Sequence, residues 1–385
     1  MTEITHEIRP LVGIRGVATA WVVLFHLHPL LFVLLPSTEP SRDFLNSALL
    51  MVDFFFILSG FIITYRYLDQ LSSPTRQRVG RYLALRFARI WPVHAVVLVA
   101  FVAYEKWSVS QLGYGLESAN VDARNVFLNL VMWHQLPPGT PINLPSWSLA
   151  PEFGAYFAFP LVAILLIRIR SWRFAFAAAA VVLVAGATRL WFMYEALGPD
   201  GGSSYWVPWL RIATCFTAGC LLNIGWRLLP DAVRRNRRWD LVALGGMAAV
   251  LVTIAVVERG EEYHVPVAAY PFLALTVLAC AGATGFMSRL LGSRVMEWSG
   301  RISYSVYLTH FLVIVWANNY LIRHGAIGLP RAQRALLILV VLVAVVLVGV
   351  ATYHLVEEPS RKGLRRLTHR SLGRVPPPEP VTPRR

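Results

Sequence analysis

Long apolar stretches alternate with short polar ones along almost the whole chain. A bilayer core of about 30 Å is crossed by a helix of about 20 apolar residues. Runs of that length recur, and we expect ten membrane-spanning helices, near residues 12–35, 46–68, 89–107, 147–168, 173–194, 206–229, 239–257, 267–287, 302–322 and 335–356. The pattern predicts an all-α integral membrane protein.

The arginines lie mainly in every second loop between these runs, in the segments 76–89, 168–173, 227–238, 289–301 and 361–385. Cytoplasmic loops of membrane proteins carry an excess of Lys and Arg. This distribution predicts that both termini are cytoplasmic, as an even number of spans requires. We expect residues 1–360 to form one transmembrane domain. Residues 361–385 are expected to form a basic, proline-rich cytoplasmic tail that is disordered and close to anionic headgroups.

Composition narrows the class of protein further. The 385 residues are 56% hydrophobic and 15% charged, with a net charge of +15. Because the arginines sit between apolar runs, we attribute the charge to membrane topology and expect no nucleic-acid partner. Cys215, Cys220 and Cys280 lie inside apolar segments without metal-ligand spacing, so neither a disulfide nor a metal site is expected. The chain is predicted to be a multi-pass protein of the bacterial inner (cell) membrane.

One longer loop does not follow the simple pattern of spans and short connections. Residues 126–133 are apolar but too few to cross a bilayer, which predicts a re-entrant or interfacial segment. The following residues, 134–147, contain several prolines that preclude regular helix. We therefore expect a structured loop at the outer face.

The first apolar run contains two ionisable residues, Arg15 and His26. Charged groups inside a membrane are costly and usually have a functional role. Eleven residues bring a helix back to nearly the same face, with a rise of about 16 Å. A regular helix would thus direct both side chains into one shared cavity at different depths. The alternative is an arginine that reaches the headgroups and a histidine that is hydrogen-bonded inside the bundle.

Two carboxylates also fall inside apolar spans, Asp53 in the second and Glu152 in the fourth. We expect Asp53 to pair with Arg15 or His26, because the first two helices should be neighbours; a purely structural ion pair is the alternative. The adjacent small pair Ser59-Gly60 allows a backbone or a ligand to approach closely. Ordinary helix packing explains this pair equally well.

Arg86 and Arg89 lie on one helical face at the expected cytoplasmic mouth of the third span. Two guanidinium groups at that position suit phosphate recognition. Lipid headgroups or topology alone would also account for them. In the ninth span, Ser303, Tyr307 and His310 recur at helical spacing.

Taken together, these stretches resemble the acyltransferase 3 family of integral-membrane acyltransferases. The resemblance rests on five motifs in the expected order: L-V-G-I-R-G-V-A with R-x10-H, V-D-F-F-F-I-L-S-G-F, R-x-x-R, P-S-W-S-L-x-x-E and S-Y-S-V-Y-L-T-H. They span residues 9–310. The chain departs from the family in having R-I-W-P where R-x-Y-P is common, and Pro151 directly before the glutamate.

The resemblance implies transfer of an acyl group, often acetyl, from acyl-CoA to a hydroxyl of a carbohydrate-containing acceptor. It implies His26 as general base, supported by Arg15, Asp53 and Glu152, with Arg15 stabilising charge at the thioester carbonyl. It implies binding of the CoA donor by Arg86 and Arg89, and we place Ser59, Tyr307 and His310 with the donor site. No metal is expected, and the donor would enter from the cytoplasm.

The acceptor and the class of protein leave alternatives open. Cell-surface polysaccharide, lipid-linked glycan, peptidoglycan and glycosylated natural products all fit a member without a fused periplasmic hydrolase-like domain, and we expect this protein to be such a member. The runner-up function is a transporter or flippase-like protein in which Arg15, His26, Asp53 and Glu152 form a substrate or proton pathway. Two features count against that alternative: the sequence shows neither a matching pair of Gly/Pro-broken spans nor an inverted repeat.

Overall fold

The computed structural model describes residues 7–112, 120–197, 205–234, 236–257 and 267–371. Within these ranges the chain contains no β-strand. Its helices are α1 (Arg9–Leu34), α2 (Arg42–Asn46), α3 (Leu50–Leu71), α4 (Arg76–Leu112), α5 (Ala123–Leu130), α6 (Leu149–Leu166), α7 (Trp172–Leu197), α8 (Trp206–Leu228), α9 (Asp231–Arg234), α10 (Trp239–Val257), α11 (Tyr270–Gly282), α12 (Phe286–Leu291), α13 (Arg294–Arg323), α14 (Arg331–Thr352) and α15 (Glu358–Ser371).

The all-α membrane fold predicted from the hydrophobic pattern is confirmed. Nine helices in the described ranges are long and apolar enough to cross a membrane, and they coincide with nine of the ten predicted spans. The remaining span, 267–287, contains the shorter helix α11 of 13 residues. α4 extends well beyond its predicted limits of 89–107, over 37 residues.

Two pairs of helices that are distant in sequence pack side by side and run parallel. In the first pair, Gly16 of α1 lies against Ser299 of α13, and His26 further along α1 contacts His310 further along α13. α3 and α8 form the second pair. These contacts place the first span, α1, beside the ninth, α13, and the second span, α3, beside the sixth, α8.

Gly60 and Gly219 allow the close approach of α3 and α8. A Cβ added at Gly60 would lie 2.1 Å from the carbonyl oxygen of Phe216, and one at Gly219 would lie 2.0 Å from that of Ile57. Small residues at such positions let helix backbones pack closely in membranes. The Ser59-Gly60 pair singled out in the sequence therefore has a packing role on its glycine side.

Charged residues gather at the end of the bundle where α1 begins. Arg66 bonds to Glu7 at 3.3 Å, Arg301 lies 3.8 Å from the same side chain, and Arg227 bonds to Asp69 at 2.8 Å. This is the end that the arginine distribution assigns to the cytoplasm. The sidedness of the termini stays a prediction.

Buried polar side chains hold residues 120–148, between α4 and α6, in place. Asp122 caps α5 by accepting a hydrogen bond from the Asn125 backbone N–H at 2.7 Å, which lowers the pKa of Asp122. The amide of Asn129 binds the carbonyl of Thr140 at 2.8 Å, and that of Asn143 binds the carbonyl of Leu308 on α13 at 3.0 Å. The structured loop expected at residues 134–147 is confirmed and is anchored to α13, whereas its place at the outer face stays a prediction.

The predicted tail differs from the structure in its first part. Residues 361–371 belong to α15 and are helical, whereas the sequence analysis expected disorder from residue 361. Tertiary packing explains the difference, because this basic helix lies against α4. Residues 372–385 lie outside the described residues.

Candidate active site

A cavity of about 150 Å³ lies between α1, α3, α4, α6 and α13. Six of the nine site residues predicted from the sequence line it: Arg15, Ser59, Arg86, Arg89, Glu152 and Tyr307. Thr19, Ser148, Tyr156, Ser303 and Tyr304 add further polar groups, among apolar side chains such as Phe55 and Ile62. The cavity therefore combines apolar walls with convergent charged groups, as ligand pockets do.

Glu152 is held in a fixed orientation at one side of the cavity. Its Oε1 accepts hydrogen bonds from Ser59 Oγ at 3.1 Å and from the Tyr156 hydroxyl at 2.6 Å. Glu152 lies in the first turn of α6, and Pro151 is tolerated before it because the first helical N–H groups have no intrahelical acceptor. This geometry directs the carboxylate into the cavity.

Arg86 is surrounded by tyrosines rather than by carboxylates. It donates to the Tyr67 hydroxyl at 3.2 Å, and its guanidinium lies 5.2 Å from the Tyr67 ring centroid and 5.7 Å from that of Tyr156. Its Nε is buried and has no hydrogen-bond partner among the described residues. The aromatic faces stabilise the cation, and Arg86 retains donor capacity for an anion.

Arg89 has an intramolecular counter-ion that the sequence analysis missed. It bonds to Glu357, whose side chain is fully buried where α14 joins α15, and it lies 5.5 Å from the Tyr304 ring centroid. A helical-wheel reading does not predict Glu357 as an inward-facing residue, because Glu357 is the last residue of a π-helical turn, Tyr353–Glu357.

Arg15 makes no side-chain hydrogen bond or ion pair with any residue in the described ranges, although it lines the cavity. Such a guanidinium, withdrawn from bulk water without a counter-ion, is unfavourable. An anionic group in the cavity would remove that cost. Arg15 therefore brings to the cavity a positively charged group whose hydrogen-bond donors are not used within the described ranges.

His26 does not face this cavity; it forms a pair with His310. The two rings are 4.9 Å apart between centroids, and His310 Nε2 lies 3.1 Å from His26 Nδ1. His26 Nδ1 also lies 3.0 Å from the carbonyl of Val22, and His310 Nδ1 lies 3.2 Å from that of Val306. Two carbonyl acceptors place a proton on each Nδ1. His310 Nε2 then accepts from His26, and the lone pair of His26 Nε2 is available.

Tyr307 connects the histidine pair to the cavity. It lines the cavity, its ring centroid is 6.0 Å from that of His310, and its hydroxyl bonds to Ser148 at 3.0 Å and to the carbonyl of Pro145 at 2.9 Å. The prediction that Arg15 and His26 face one shared cavity was wrong. The two residues lie on one helix, but Arg15 faces the cavity and His26 faces His310 on α13.

A model of the family described as "Acyltransferase domain" matches residues 11–354, which is most of the chain. This protein belongs to the acyltransferase domain family. The matched range includes all of the cavity-lining residues and both histidines, so the resemblance read from five short motifs is confirmed.

Relatives of this family member come from bacteria. The chain is 23% identical to peptidoglycan O-acetyltransferase OatA of Listeria monocytogenes, over 91% of the chain and 55% of that protein. It is 25% identical to the putative peptidoglycan O-acetyltransferase YrhL of Bacillus subtilis, over 93% and 56%. It is 29% identical to acyltransferase MdmB of Streptomyces mycarofaciens, over 85% and 84%.

The chain thus spans about half the length of the first two of these relatives and most of the third. No solved structure matches it. The apolar helices and these relatives identify a multi-pass protein of the bacterial cell membrane.

Asp53 requires a correction, because its partner is neither Arg15 nor His26. Arg211 of α8 binds it through two hydrogen bonds, Nε to Oδ1 at 2.9 Å and Nη2 to Oδ2 at 2.8 Å. Arg211 also donates to the carbonyl of Leu49 at 2.8 Å and lies 4.9 Å from the Trp147 ring centroid. Both charged side chains are buried. This arrangement matches the alternative prediction for Asp53, a structural ion pair. An arginine inside the sixth span was the sequence signal for this partner.

Proposed function

We propose that this protein is a membrane O-acyltransferase that moves an acyl group, often acetyl, from acyl-CoA to a hydroxyl of a carbohydrate-containing acceptor. The observation that carries the proposal is the unpaired Arg15, in one cavity with Arg86 and Arg89 and connected through Tyr307 to the histidine pair. Two relatives are named for O-acetylation of peptidoglycan, a glycan, which supports a carbohydrate hydroxyl as acceptor.

The arginines suit the charged part of the donor. Arg86 and Arg89 present donors to phosphate oxygens, and the planar guanidinium binds phosphate in a bidentate manner. Arg15 belongs with them in our assignment. Its Cα is about 16 Å along α1 from that of His26, and helical side chains lean toward the N-terminus, so Arg15 points away from the imidazole. Arg15 and His26 therefore do not act on the same carbonyl, and the oxyanion role first assigned to Arg15 is replaced by donor binding.

His26 suits the chemical step. A hydroxyl is too weakly acidic to attack a thioester unaided, and a neutral imidazole is an effective general base. His26 Nε2 accepts the hydroxyl proton as the oxygen bonds to the carbonyl carbon. The C–S bond then breaks, the thiolate leaves, and the imidazolium returns the proton to give free CoA. His310 orients the imidazole, which is the role expected from the sequence for Asp53 or Glu152.

The test separates binding from chemistry. Purified protein is supplied with a panel of acyl-CoA donors and a glycan acceptor, and release of CoA is followed with a thiol-reactive dye. His26→Ala is expected to lower kcat by about 10²–10⁴-fold without weakening CoA binding. Arg15→Gln is expected to weaken CoA binding by about 10- to 100-fold, the loss of one charge-assisted hydrogen bond.

His28→Ala is the matched control, since His28 lies two residues further along α1 and its ring nitrogen bonds, among the described residues, to the carbonyl of Phe25 and not to another side chain. This variant should retain wild-type turnover. If the wild-type protein neither binds CoA nor releases it from any donor, the acyltransferase proposal is wrong. The transporter alternative then gains weight, although Asp53 is bonded to Arg211 and is not free for a proton pathway.

A further inference from the structure

Glu357 is a fully buried carboxylate near the end of the last span. The buried positions of α14 end at Gly349, and eight residues of regular α-helix would leave Glu357 about 80° away from that face. The turn Tyr353–Glu357 is π-helical, and its wider turn brings Glu357 onto the buried face. Single π-helical turns inside helices are frequent at functional sites. The local geometry thus directs this charge toward the cavity wall.

One carboxylate joins three elements at this point. Glu357 Oε1 bonds to Arg89 of α4, and Nη1 of Arg361 on α15 lies 3.5 Å from the same oxygen. Glu357 Oε2 accepts from Ser305 Oγ of α13 at 2.7 Å, which fixes the orientation of the carboxylate. The guanidiniums of Arg89 and Arg361 therefore converge on a single oxygen atom.

The charges around this point do not balance. Arg361 interacts electrostatically with Arg15, Arg86 and Arg89, and the carboxylates that act on this group are Glu152 and Glu357. In the described part of the chain, Glu357 is the carboxylate that forms ion pairs with these arginines, namely with Arg89 and Arg361. Two positive charges are left without a counter-charge. A diphosphate ester carries two negative charges at neutral pH and matches that excess.

Arg361 differs from the other three arginines in being accessible. Its side chain is 42% exposed, and only Nη1 is engaged by Glu357. The remaining nitrogen donors of this guanidinium are available at the mouth of the bundle, beside the arginines of α4. A ligand that enters from this end meets Arg361 before it reaches the cavity.

We infer that α15 is part of the donor site: Arg361 binds the diphosphate of the acyl-CoA together with Arg89, and Glu357 positions both guanidiniums. This inference rests on the proposed function. Arg361 is a ligand-binding residue in this assignment, whereas Glu357 acts through the two arginines. The C-terminal helix thereby closes the phosphate end of a site whose reacting end lies at the histidine pair.

The test compares Arg361→Gln with Arg366→Gln, which removes the same charge from an exposed position of the same helix. The full chain is assayed for the KM and kcat of acyl-CoA, and for the inhibition constant of pyrophosphate, which carries only the diphosphate. Arg361→Gln is expected to raise both the KM and the inhibition constant by about 10- to 100-fold with kcat retained. Arg366→Gln should leave all three unchanged.

Equal effects of the two substitutions would show a general attraction of anions to a basic surface and would overturn the inference. An unchanged inhibition constant in Arg361→Gln would also overturn it. Glu357→Gln keeps the bond to Ser305 but removes the charge, and it should raise the KM of acyl-CoA while kcat is retained. A lowered KM would show instead that Glu357 competes with the donor.

The outcomes also separate this inference from the proposal on which it rests. A wild-type protein that neither binds nor consumes acyl-CoA defeats both. A wild-type protein that turns over acyl-CoA, with Arg361→Gln indistinguishable from Arg366→Gln, defeats only the role of α15.

Discussion

The ion pair between Asp53 and Arg211 leads to a prediction that distinguishes a structural role from a catalytic one. Asp53→Asn preserves the shape of the side chain but leaves the arginine buried without a counter-charge. Removal of one partner of a buried ion pair costs about 3–5 kcal/mol. Each kcal/mol lowers the melting temperature of a large domain by about 2–4 °C. We therefore expect the apparent melting temperature to fall by about 10 °C.

The buried cysteines supply the assay. Cys215, Cys220 and Cys280 are free and buried, so a thiol-reactive dye reports their exposure as the detergent-solubilised protein unfolds on heating. Cys215 Sγ lies 3.9 Å from Asp53 Oδ1, and a local change there can affect its labelling. The comparison is repeated in a Cys215→Ala background, where the two remaining cysteines report unfolding.

A double substitution completes this test. Asp53→Asn combined with Arg211→Gln removes both charges, and it should melt higher than Asp53→Asn alone because no buried charge is left unpaired. The structural assignment is refuted if Asp53→Asn melts within about 2 °C of wild type while turnover falls by more than about 10²-fold. That result would place Asp53 in the chemistry, as the sequence analysis first expected.

Two further predictions concern helix packing and the histidine pair. Gly60→Ala is expected to lower stability by at least about 1–3 kcal/mol, because the new Cβ would meet the carbonyl of Phe216; Gly80→Ala, with no atom within 4 Å of the added Cβ, is its control in the same thermal assay. His310→Leu is expected to reduce kcat by up to about 10²-fold at unchanged KM, because the catalytic imidazole loses the acceptor that orients it. His310→Gln should recover part of that loss, since its amide oxygen can accept the same hydrogen bond, and equal kcat values for the Gln and Leu variants would contradict a positioning role.

The sequence predicted the helices well because the bilayer imposes their length. Nine spans and the shorter α11 occur where the apolar runs place them. The residues gathered at the cavity were also predicted, since each belongs to a short motif with a distinctive spacing. Local patterns are sufficient for both kinds of prediction.

Partners between distant helices were not predictable in the same way. Asp53 was assigned to the wrong cation because the adjacency of α3 and α8 depends on packing at Gly60 and Gly219, not on closeness in the chain. Glu357 was missed because a π-helical turn changes its facing, and no sequence periodicity shows such a turn. The spacing of Arg15 and His26 gave their common helix but not the residues of α13 that separate their surroundings.

The parallel packing of α1 and α13 has a consequence for biosynthesis. The first helix is made before the ninth, so His26 stays in the membrane without its partner until the 284 residues that separate it from His310 have been synthesised. Seven predicted spans lie between the two helices, so the helices are parallel only if an odd number of these spans, such as all seven, has inserted. α11, whose 13 residues cover only about 20 Å, is the shortest of them. If this segment fails to insert, α13 enters with inverted orientation, and the nascent chain cannot assemble its histidine pair.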